Sequence, residues 1–420
     1  MKRHNFSAGP CVLPKSVIKQ ASEALIDFDN GLSLLEISHR SKPFVDVMEQ
    51  ARSLALELLG LEGKGYKALF LQGGASTQFL MVALNLLEKR AGYLNTGTWS
   101  DKAIKEAKIY DDIYEVGSSK SAGFNYIPKG YEIPEDYDYF HCTSNNTIFG
   151  TQMKKFPNSP IPMVCDMSSD IFSRTLDFSK FDLIYAGAQK NMGPAGTTLV
   201  IVKEDILGKV SRKIPSMMDY KVHIGKGSMF NTPPVFAVYV SMLTMQWLKD
   251  LGGIKAIEEE NEKKARLMYS EIDLNPLFKG YSVKEDRSNM NVVFLLENEE
   301  HTTLFDSMWK AAGISGLPGH RSVGGYRASM YNALPIESVQ VLVDVMKDFE
   351  SKISSILYYY DKHIQSKIEY NQQKIKLHHP FYNIAGALSL HPDYILELLQ
   401  NTDQDIITDI KIIFKLNIYT

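Results

Sequence analysis

Short apolar runs alternate along this chain with amphipathic segments that have helical spacing. The runs that read as strands are residues 68–71, 92–95, 139–142, 161–165, 183–186 and 198–202. The segments that read as helices are residues 16–29, 43–59, 79–87, 101–108, 235–251 and 254–272. Because strands that alternate with helices form βαβ units, the pattern predicts an α/β fold with a mainly parallel sheet flanked by helices.

A smaller α+β unit is predicted to follow from about residue 281. Its strands are expected near Val283 and over residues 292–296, and its helices over residues 303–312 and 336–353. The chain has 420 residues, which favours two or three domains. We therefore expect a large domain with the main sheet and a second, smaller domain.

The composition excludes several classes of partner. A net charge of −3 gives no reason to expect nucleic acid or an anionic membrane surface. No apolar run reaches the roughly eighteen residues that a membrane span needs, and the N-terminal residues lack the apolar core of a secretory signal. The three cysteines, Cys11, Cys142 and Cys165, form no CxxC pair. These features predict a cytoplasmic protein with reduced thiols.

Polar residues stand where several predicted strands end. Residues 73–78 (GGASTQ) follow a strand and open a helix, so their amides can hold a phosphate. Thr147, Asp166 and Lys190 each follow or end another strand, and Lys190 lies in a loop of small residues. Ligands of open α/β sheets collect at the carboxyl ends of the strands. A phosphate cradle, a carboxylate and a lysine in one crevice suit pyridoxal phosphate.

Each of these features also has an ordinary structural interpretation. A lysine between strands is often a surface-loop residue, an aspartate that ends a strand is often a turn residue, and a glycine turn is often only a helix start. Their order along the chain is what favours a cofactor site.

Sequence blocks along residues 2–354 resemble the phosphoserine aminotransferase family, which belongs to the class V, fold-type I pyridoxal-phosphate enzymes. The blocks are NFSAGPCVLP, EISHRSKPF, GGASTQF, NTGTWSDKAIKEA, NNTIFGTQ, CDMSSDIFSR, YAGAQKNMGPAG, GSMFNTPPVFAVY, RSNMNVVF and GHRSVGGYRASMYNA. The resemblance implies a large cofactor-binding domain (16–255), a small domain (1–15 and 256–354) and a C-terminal extension (355–420).

The resemblance also implies a role for each site residue. Lys190 would form the Schiff base with the cofactor and then move the proton at the substrate Cα, while Asp166 would pair with the pyridinium nitrogen. Trp99 would stack on the ring and Thr147 would bind its phenolic oxygen. The phosphate of the cofactor would be held by Ala75, Ser76 and Gln189, with Asn231 and Thr232 of a second subunit. The family is therefore expected to be a homodimer with shared active sites. Trp99 as ordinary core and Asn231 as a turn residue remain open.

Substrate binding needs cations, and arginine meets carboxylate or phosphate oxygens bidentately. By resemblance, two His-Arg pairs, His39-Arg40 and His320-Arg321, form the pocket for the substrate phosphate or the side-chain carboxylate of glutamate. Arg327 would bind the α-carboxylate, with Ser7 nearby. The competing interpretation is solvated surface residues. The implied reaction interconverts O-phospho-L-serine and 2-oxoglutarate with 3-phosphohydroxypyruvate and L-glutamate, in serine biosynthesis. A further substrate, 4-phosphohydroxy-L-threonine of pyridoxine biosynthesis, stays open.

Three alternatives remain at this point. A cysteine desulfurase of the same fold type needs a cysteine in a late glycine-rich loop, and none of the three cysteines lies in one. A small-amino-acid aminotransferase would share the cofactor chemistry but not the phosphate pocket. A binding protein with a degraded site would have lost Lys190 or Asp166, and both are present.

The last sixty-six residues lie beyond the family pattern. An apolar stripe marked by Ile353, Ile356, Leu357, Tyr360, Ile364 and Ile368 predicts that the last helix of the small domain is extended. A helix over 393–399 and a terminal strand over 412–418 are also predicted. His363, His378, His379 and His391 show no i,i+4 pair, so no metal site is expected.

Overall fold

A seven-stranded sheet forms the centre of the computed structural model, which describes residues 3–378. The strands of this sheet and of three smaller sheets are β1 (His4–Asn5), β2 (Tyr66–Leu71), β3 (Arg90–Asn95), β4 (Asp112–Ser118), β5 (Phe140–Thr143), β6 (Asn145–Asn146), β7 (Thr151–Gln152), β8 (Met163–Asp166), β9 (Leu183–Gly187), β10 (Thr198–Lys203), β11 (Phe278–Gly280), β12 (Asn291–Leu296), β13 (Ile314–Ser315) and β14 (Tyr326–Ser329). The α-helices are α1 (Lys15–Ile26), α2 (Lys42–Leu58), α3 (Gly74–Leu86), α4 (Thr98–Ala107), α5 (Ala188–Asn191), α6 (Tyr220–Gly225), α7 (Val235–Asp250), α8 (Gly253–Leu274), α9 (Thr302–Ala311) and α10 (Ile336–His378).

The strand order of the large sheet is β2-β10-β9-β8-β5-β3-β4. Strands β4, β3, β5, β8 and β9 run parallel to one another, whereas β10 runs antiparallel to both β9 and β2. The prediction of a mainly parallel sheet is confirmed, and all six strands predicted for this part of the chain are present.

Helices cover both faces of this sheet. Side chains of β10 alternate between two apolar clusters: Leu199 and Ile201 belong to one, while Val200 and Val202 belong to the other. Helices α1, α2 and α7 supply the first cluster, and α3 and α4 supply the second. A strand that is buried on both faces must be apolar at nearly every position, which explains the run Thr198–Val202.

The smaller unit has its own sheet, β11-β12-β14, and its own apolar core with α8, α9 and α10. The N-terminal strand β1 pairs with β13 next to this core. The predicted strand near Val283 is wrong, because the strand is β11 and Val283 precedes a 3-10 turn. The Val283 amide donates to the Asn125 carbonyl at 3.0 Å, so this backbone is bonded to another loop rather than to a sheet.

The last helix is longer than the segment predicted from its core-facing periodicity. Helix α10 continues past residue 353 to His378, as the apolar stripe indicates. Ile353 and Ile356 are buried against the core of the small unit. The predicted helix over 393–399, the predicted strand over 412–418, and His379 and His391 lie outside the described residues.

A buried lysine joins α8 to the segment after β14. Lys264 is 1% exposed, and its ammonium donates to the carbonyls of Met330, Tyr331 and Leu334 at 3.2, 2.9 and 3.1 Å. Buried polar groups are costly unless they are hydrogen-bonded, and these four groups satisfy one another. Lys264 thus fixes the chain segment that leads from β14 towards α10.

Replacing Lys264 with methionine is expected to lower the free energy of unfolding by about 3 kcal/mol, because three buried carbonyls lose their donor. Urea unfolding followed by circular dichroism measures the change. Lys263→Met is the matched control, since Lys263 is half exposed and pairs with Glu260 on the same helix. Its effect should stay within about 0.5 kcal/mol. Equal effects of the two substitutions would contradict the structural role of Lys264.

Candidate active site

Five strands of the large sheet end at the same edge, and the predicted site residues follow these ends. Residues 72–76 follow β2, Trp99 follows β3, Thr147 follows β5, Asp166 ends β8, and Lys190 follows β9. Parallel strands carry their carboxyl ends to a common edge, so the order of the sheet brings these separate segments together.

Lys190 occupies the short helix α5 rather than an irregular loop. Its Nζ donates to Thr147 Oγ1 at 2.7 Å and lies 5.3 Å from the centroid of the Trp99 ring. The pKa of Lys190 is lowered to about 8: burial is the main cause, the charge of Asp166 opposes it, and the charge of Arg327 adds to the lowering. A substantial fraction of this amine is therefore neutral, and so nucleophilic, near pH 8.

Small residues surround the backbone of Lys190. A side chain at Gly9 would lie 3.5 Å from Lys190 Cγ, and Gly9 has φ +144°, a region that favours glycine. The Cys11 amide donates to the Gln189 carbonyl at 3.2 Å, and the Cys11 thiol contacts the Lys190 carbonyl. The N-terminal segment thus packs directly against α5, which explains why bulky residues are absent there.

Asp166 is almost completely buried at the end of β8. The Ser168 amide donates to its Oδ1 at 2.9 Å. Burial raises the pKa of Asp166, whereas the nearby Lys190 ammonium and the Ser168 bond lower it. A carboxylate held in this way stabilises a positive charge placed beside it, as a protonated pyridine nitrogen would require.

The N-terminus of α3 provides the cradle for an anion. Gly73, the N-cap residue, has φ +94° and no side chain, and no described side chain caps the first turn. The first amides of the helix, including those of Ala75 and Ser76, are therefore free to donate outwards. Together with Lys190 and Asp166, this turn fits a flat cofactor that carries a phosphate group.

Ser7 and Arg327, which are predicted to bind the substrate, lie against the segment 315–317 of the small unit. The Arg327 amide donates to the Leu317 carbonyl at 2.7 Å, and a side chain at Gly316 would collide with Ser7. The Arg327 guanidinium reaches the Thr147 carbonyl at 3.4 Å, while its buried Nε has no hydrogen-bond partner among the described residues. This donor points to a bound anion.

The loop that carries His320 and Arg321 adds further positive charge. Ser322 Oγ and His320 Nδ1 are hydrogen-bonded at 2.7 Å. Burial lowers the pKa of His320, and the charges of Arg327 and Arg321 lower it further. Arg321 and Arg327 thus form one cationic region around His320, whose lowered pKa favours the neutral imidazole, and Arg327 is the member of this region that acts on Lys190.

Other predicted residues are not brought to Lys190 within one chain. Arg40 is exposed, its amide donates to Ser38 Oγ at 3.2 Å, and no described contact joins it or His39 to the other site residues. Asn231 and Thr232 are also exposed and contact Gln72, which precedes the α3 cradle: Asn231 Nδ2 donates to Gln72 Oε1 at 3.1 Å, and Gln72 Nε2 donates to the Thr232 carbonyl at 3.0 Å.

Sequence reasoning missed a buried network behind α5. Asn191 Oδ1 accepts a bond of 2.9 Å from the Asn332 amide, and Asn332 Nδ2 donates to the Phe172 carbonyl at 2.9 Å. Asn261 Nδ2 bonds the Asn332 side chain at 2.9 Å. These amides tie α5 to the small unit, and no local sequence signal marks them. Ser168, in contrast, lies two residues after Asp166, which is the spacing of an Asx turn.

Two further observations concern membranes and metals. Of the helices within residues 3–378, none has the length and apolarity that crossing a membrane requires. Over the same residues, no group of three or more His, Cys, Asp or Glu side chains is arranged to bind a metal ion.

Known proteins are similar to this chain in sequence and in fold. The aminotransferase class-V family matches residues 3–342, so the chain belongs to this family of pyridoxal-phosphate enzymes. Phosphoserine aminotransferase of Flavobacterium johnsoniae is 70% identical over 356 residues, which are 84% of this chain and 100% of the relative. That of Bacteroides thetaiotaomicron is 56% identical over 353 residues, 83% of this chain and 99% of the relative. Within class V, the chain is a member of the phosphoserine aminotransferase family.

Solved structures agree with this assignment. Phosphoserine aminotransferase from Bacillus circulans subsp. alkalophilus has a TM-score of 0.81 at 41% identity and covers 83% of this chain and 99% of its own. The enzyme from Trichomonas vaginalis, solved with pyridoxal phosphate bound, has a TM-score of 0.78 at 35% identity and covers 82% of this chain and 100% of its own. The fold is therefore fold-type I, the cofactor is pyridoxal 5'-phosphate, and the protein is an aminotransferase.

Proposed function

We propose that this enzyme interconverts O-phospho-L-serine and 2-oxoglutarate with 3-phosphohydroxypyruvate and L-glutamate by a ping-pong mechanism in L-serine biosynthesis. The observation that carries the proposal is that Lys190 and Arg327 meet at Thr147: Lys190 Nζ donates to Thr147 Oγ1 at 2.7 Å and the Arg327 guanidinium reaches the Thr147 carbonyl at 3.4 Å. The buried Asp166 carboxylate acts on the same lysine, and Arg321 adds positive charge near Arg327. A lysine and a carboxylate suit the cofactor, and the cations suit a doubly anionic substrate.

The chain supplies the groups that the chemistry needs. Pyridoxal phosphate, when bound, provides an electron sink for the charge that develops at the substrate Cα. Lys190 would hold the cofactor covalently and, once free, would remove and return the proton at Cα. Its lowered pKa suits both roles near neutral pH. Asp166 would keep the ring nitrogen protonated, and the Ser168 amide orients that carboxylate.

Further residues would orient the cofactor and the substrate. Trp99 would stack on the ring and Thr147 would bind its phenolic oxygen. Both lie beside the Lys190 ammonium. The residues assigned to the cofactor phosphate are Ala75, Ser76, Gln189, Asn231 and Thr232. Those assigned to the substrate are Ser7 and Arg327 for the α-carboxylate, with His39, Arg40, His320 and Arg321 for the phosphate.

We also propose a homodimer with shared active sites. Arg40 is exposed and no described contact joins it to Lys190, and Asn231 and Thr232 are exposed beside Gln72, so all three are accessible to the site of a second subunit. The segment that leads to His39 and Arg40 exposes apolar side chains, with Ile18 at 53%, Ile26 at 81% and Leu35 at 68%. Exposed apolar groups of this kind favour a protein interface.

The proposed domains are residues 16–255, residues 1–15 with 256–354, and the extension 355–420.

The environment of the cysteines argues against the desulfurase alternative. Cys142 and Cys165 are completely buried, and burial raises the pKa of Cys11 to about 12. A thiolate nucleophile needs exposure and a lowered pKa.

We also propose that the enzyme is cytoplasmic. A second proposed substrate is 4-phosphohydroxy-L-threonine of pyridoxine biosynthesis, because this compound shares the phosphate and the amino-acid group of phosphoserine.

The cationic region predicts a preference for phosphorylated substrates. Charge-assisted hydrogen bonds contribute about 1.5–3 kcal/mol each, so we expect at least a roughly hundredfold higher catalytic efficiency for phosphoserine than for serine. Arg321→Ala should reduce this preference. Arg327→Ala should instead lower the catalytic efficiency for every amino-acid substrate by a similar factor. Steady-state kinetics with phosphoserine, serine and alanine, each with 2-oxoglutarate, measures both effects.

Arg266→Ala is the matched control, since Arg266 is exposed on α8 and pairs with Glu262. This variant should have the wild-type catalytic efficiency for all three substrates. If the wild-type enzyme used serine with the same catalytic efficiency as phosphoserine, the substrate assignment would be wrong, even if the cofactor chemistry were confirmed. That result would favour a small-amino-acid aminotransferase.

A further inference from the structure

Lys102 lies beside the active site, on the helix that carries Trp99. Its Nζ is 4.7 Å from the centroid of the Trp99 ring, and Lys190 Nζ is 5.3 Å from the same centroid. One indole therefore contacts both ammonium groups. Lys102 is exposed, so its side chain is free to reach a ligand that enters the site.

The direction of this side chain is not explained by an ion pair. Glu106 stands four residues after Lys102, a favourable helical position for a partner, yet within the described part of the chain Lys102 forms no ion pair. Asp101, its neighbour, is already paired with Lys120 at 3.0 Å. Lys102 lies instead against Trp99, three residues earlier.

Positive charge accumulates on this side of the active site. Val323 packs in the same apolar cluster as Trp99, which places the loop of His320 and Arg321 next to α4. The charges of Arg327, Arg321 and Lys102 all lower the pKa of His320. Like charges repel one another, so cations gathered in this way favour the binding of an anion.

We propose that Lys102 is a specificity-determining residue that binds the phosphate group of the substrate together with His320 and Arg321. This inference rests on the proposed function. A phosphate carries up to two negative charges and the side chain of glutamate carries one, so an additional cation favours phosphoserine over glutamate. Lys102 thus helps the single pocket to treat its two substrates differently.

The test compares Lys102→Gln with Lys102→Arg and with Lys105→Gln. Lys105 is exposed on the same helix, and its replacement makes the same change in charge. Lys102→Gln should lower the catalytic efficiency for phosphoserine about tenfold and that for glutamate no more than about threefold, since one charge-assisted contact is lost. Lys102→Arg should restore most of the loss, and Lys105→Gln should behave as the wild type.

A binding measurement gives a readout that does not depend on turnover. Isothermal titration of inorganic phosphate into the cofactor-loaded enzyme should show about fivefold weaker binding for Lys102→Gln and unchanged binding for Lys105→Gln.

An unchanged Lys102→Gln enzyme, or equal losses for phosphoserine and glutamate, would overturn the role of Lys102 alone. A wild-type enzyme that does not transaminate phosphoserine would overturn the proposed function, and this inference with it.

Discussion

Replacing Lys190 with alanine is expected to reduce transamination about 10⁴-fold and to remove the visible absorption of the lysine-bound cofactor. The variant loses both the amine that holds the cofactor covalently and the base that moves the proton at Cα. Thr147 and Trp99 keep their places, so cofactor should still bind non-covalently. Stopped-flow spectroscopy of the half-reaction with glutamate measures the loss.

Lys180→Ala is the matched control for this prediction. Lys180 is exposed and bonds Asn158 Oδ1 at 3.0 Å, ten residues before Lys190. Lys180→Ala should keep the absorption and the rate of the wild type. Added methylamine should restore part of the proton transfer in Lys190→Ala, because a small amine can occupy the space that the side chain leaves. Wild-type turnover in Lys190→Ala would contradict the entire mechanism.

The main sheet could be predicted from the sequence because its central strands are buried on both faces. Runs such as Thr198–Val202 must be apolar at nearly every position, and this pattern is visible without a structure. Strand β4, in contrast, was missed. It includes charged and exposed residues, among them Asp112 and Glu115, and pairs only with β3 at the edge of the sheet. Main-chain bonds define such a strand, and its side chains carry little signal.

The site could be predicted in part for a related reason. Asp166, Thr147 and Lys190 follow strand ends, and the parallel order of the sheet then brings them together. The orientation of β10 and the network of Asn191, Asn332 and Asn261 depend on contacts between distant segments. Their residue types are common in loops and helices alike.

Replacing Asp166 with asparagine is expected to slow the half-reaction with glutamate by about 10²–10³-fold while leaving cofactor bound. Asparagine has the same shape, and its Oδ1 can still accept the bond from the Ser168 amide. The negative charge is lost, and an NH2 donor replaces the second carboxylate oxygen. The ring nitrogen should then lose its proton more readily and accept less of the charge that develops at Cα. Absorption spectra and single-turnover kinetics with glutamate measure the two effects.

Asp170→Asn separates the effect of charge at the ring from a general loss of buried charge. Asp170 is also buried, but Arg174 Nη2 donates to its Oδ2 at 2.9 Å, so its charge is already paired with a side chain. Breaking that pair should lower the unfolding temperature more than Asp166→Asn does, because it leaves a buried guanidinium without its partner. Turnover of the folded Asp170→Asn enzyme should fall far less. If the two variants lost equal activity, the carboxylate of Asp166 would act through folding and not through the pyridine nitrogen.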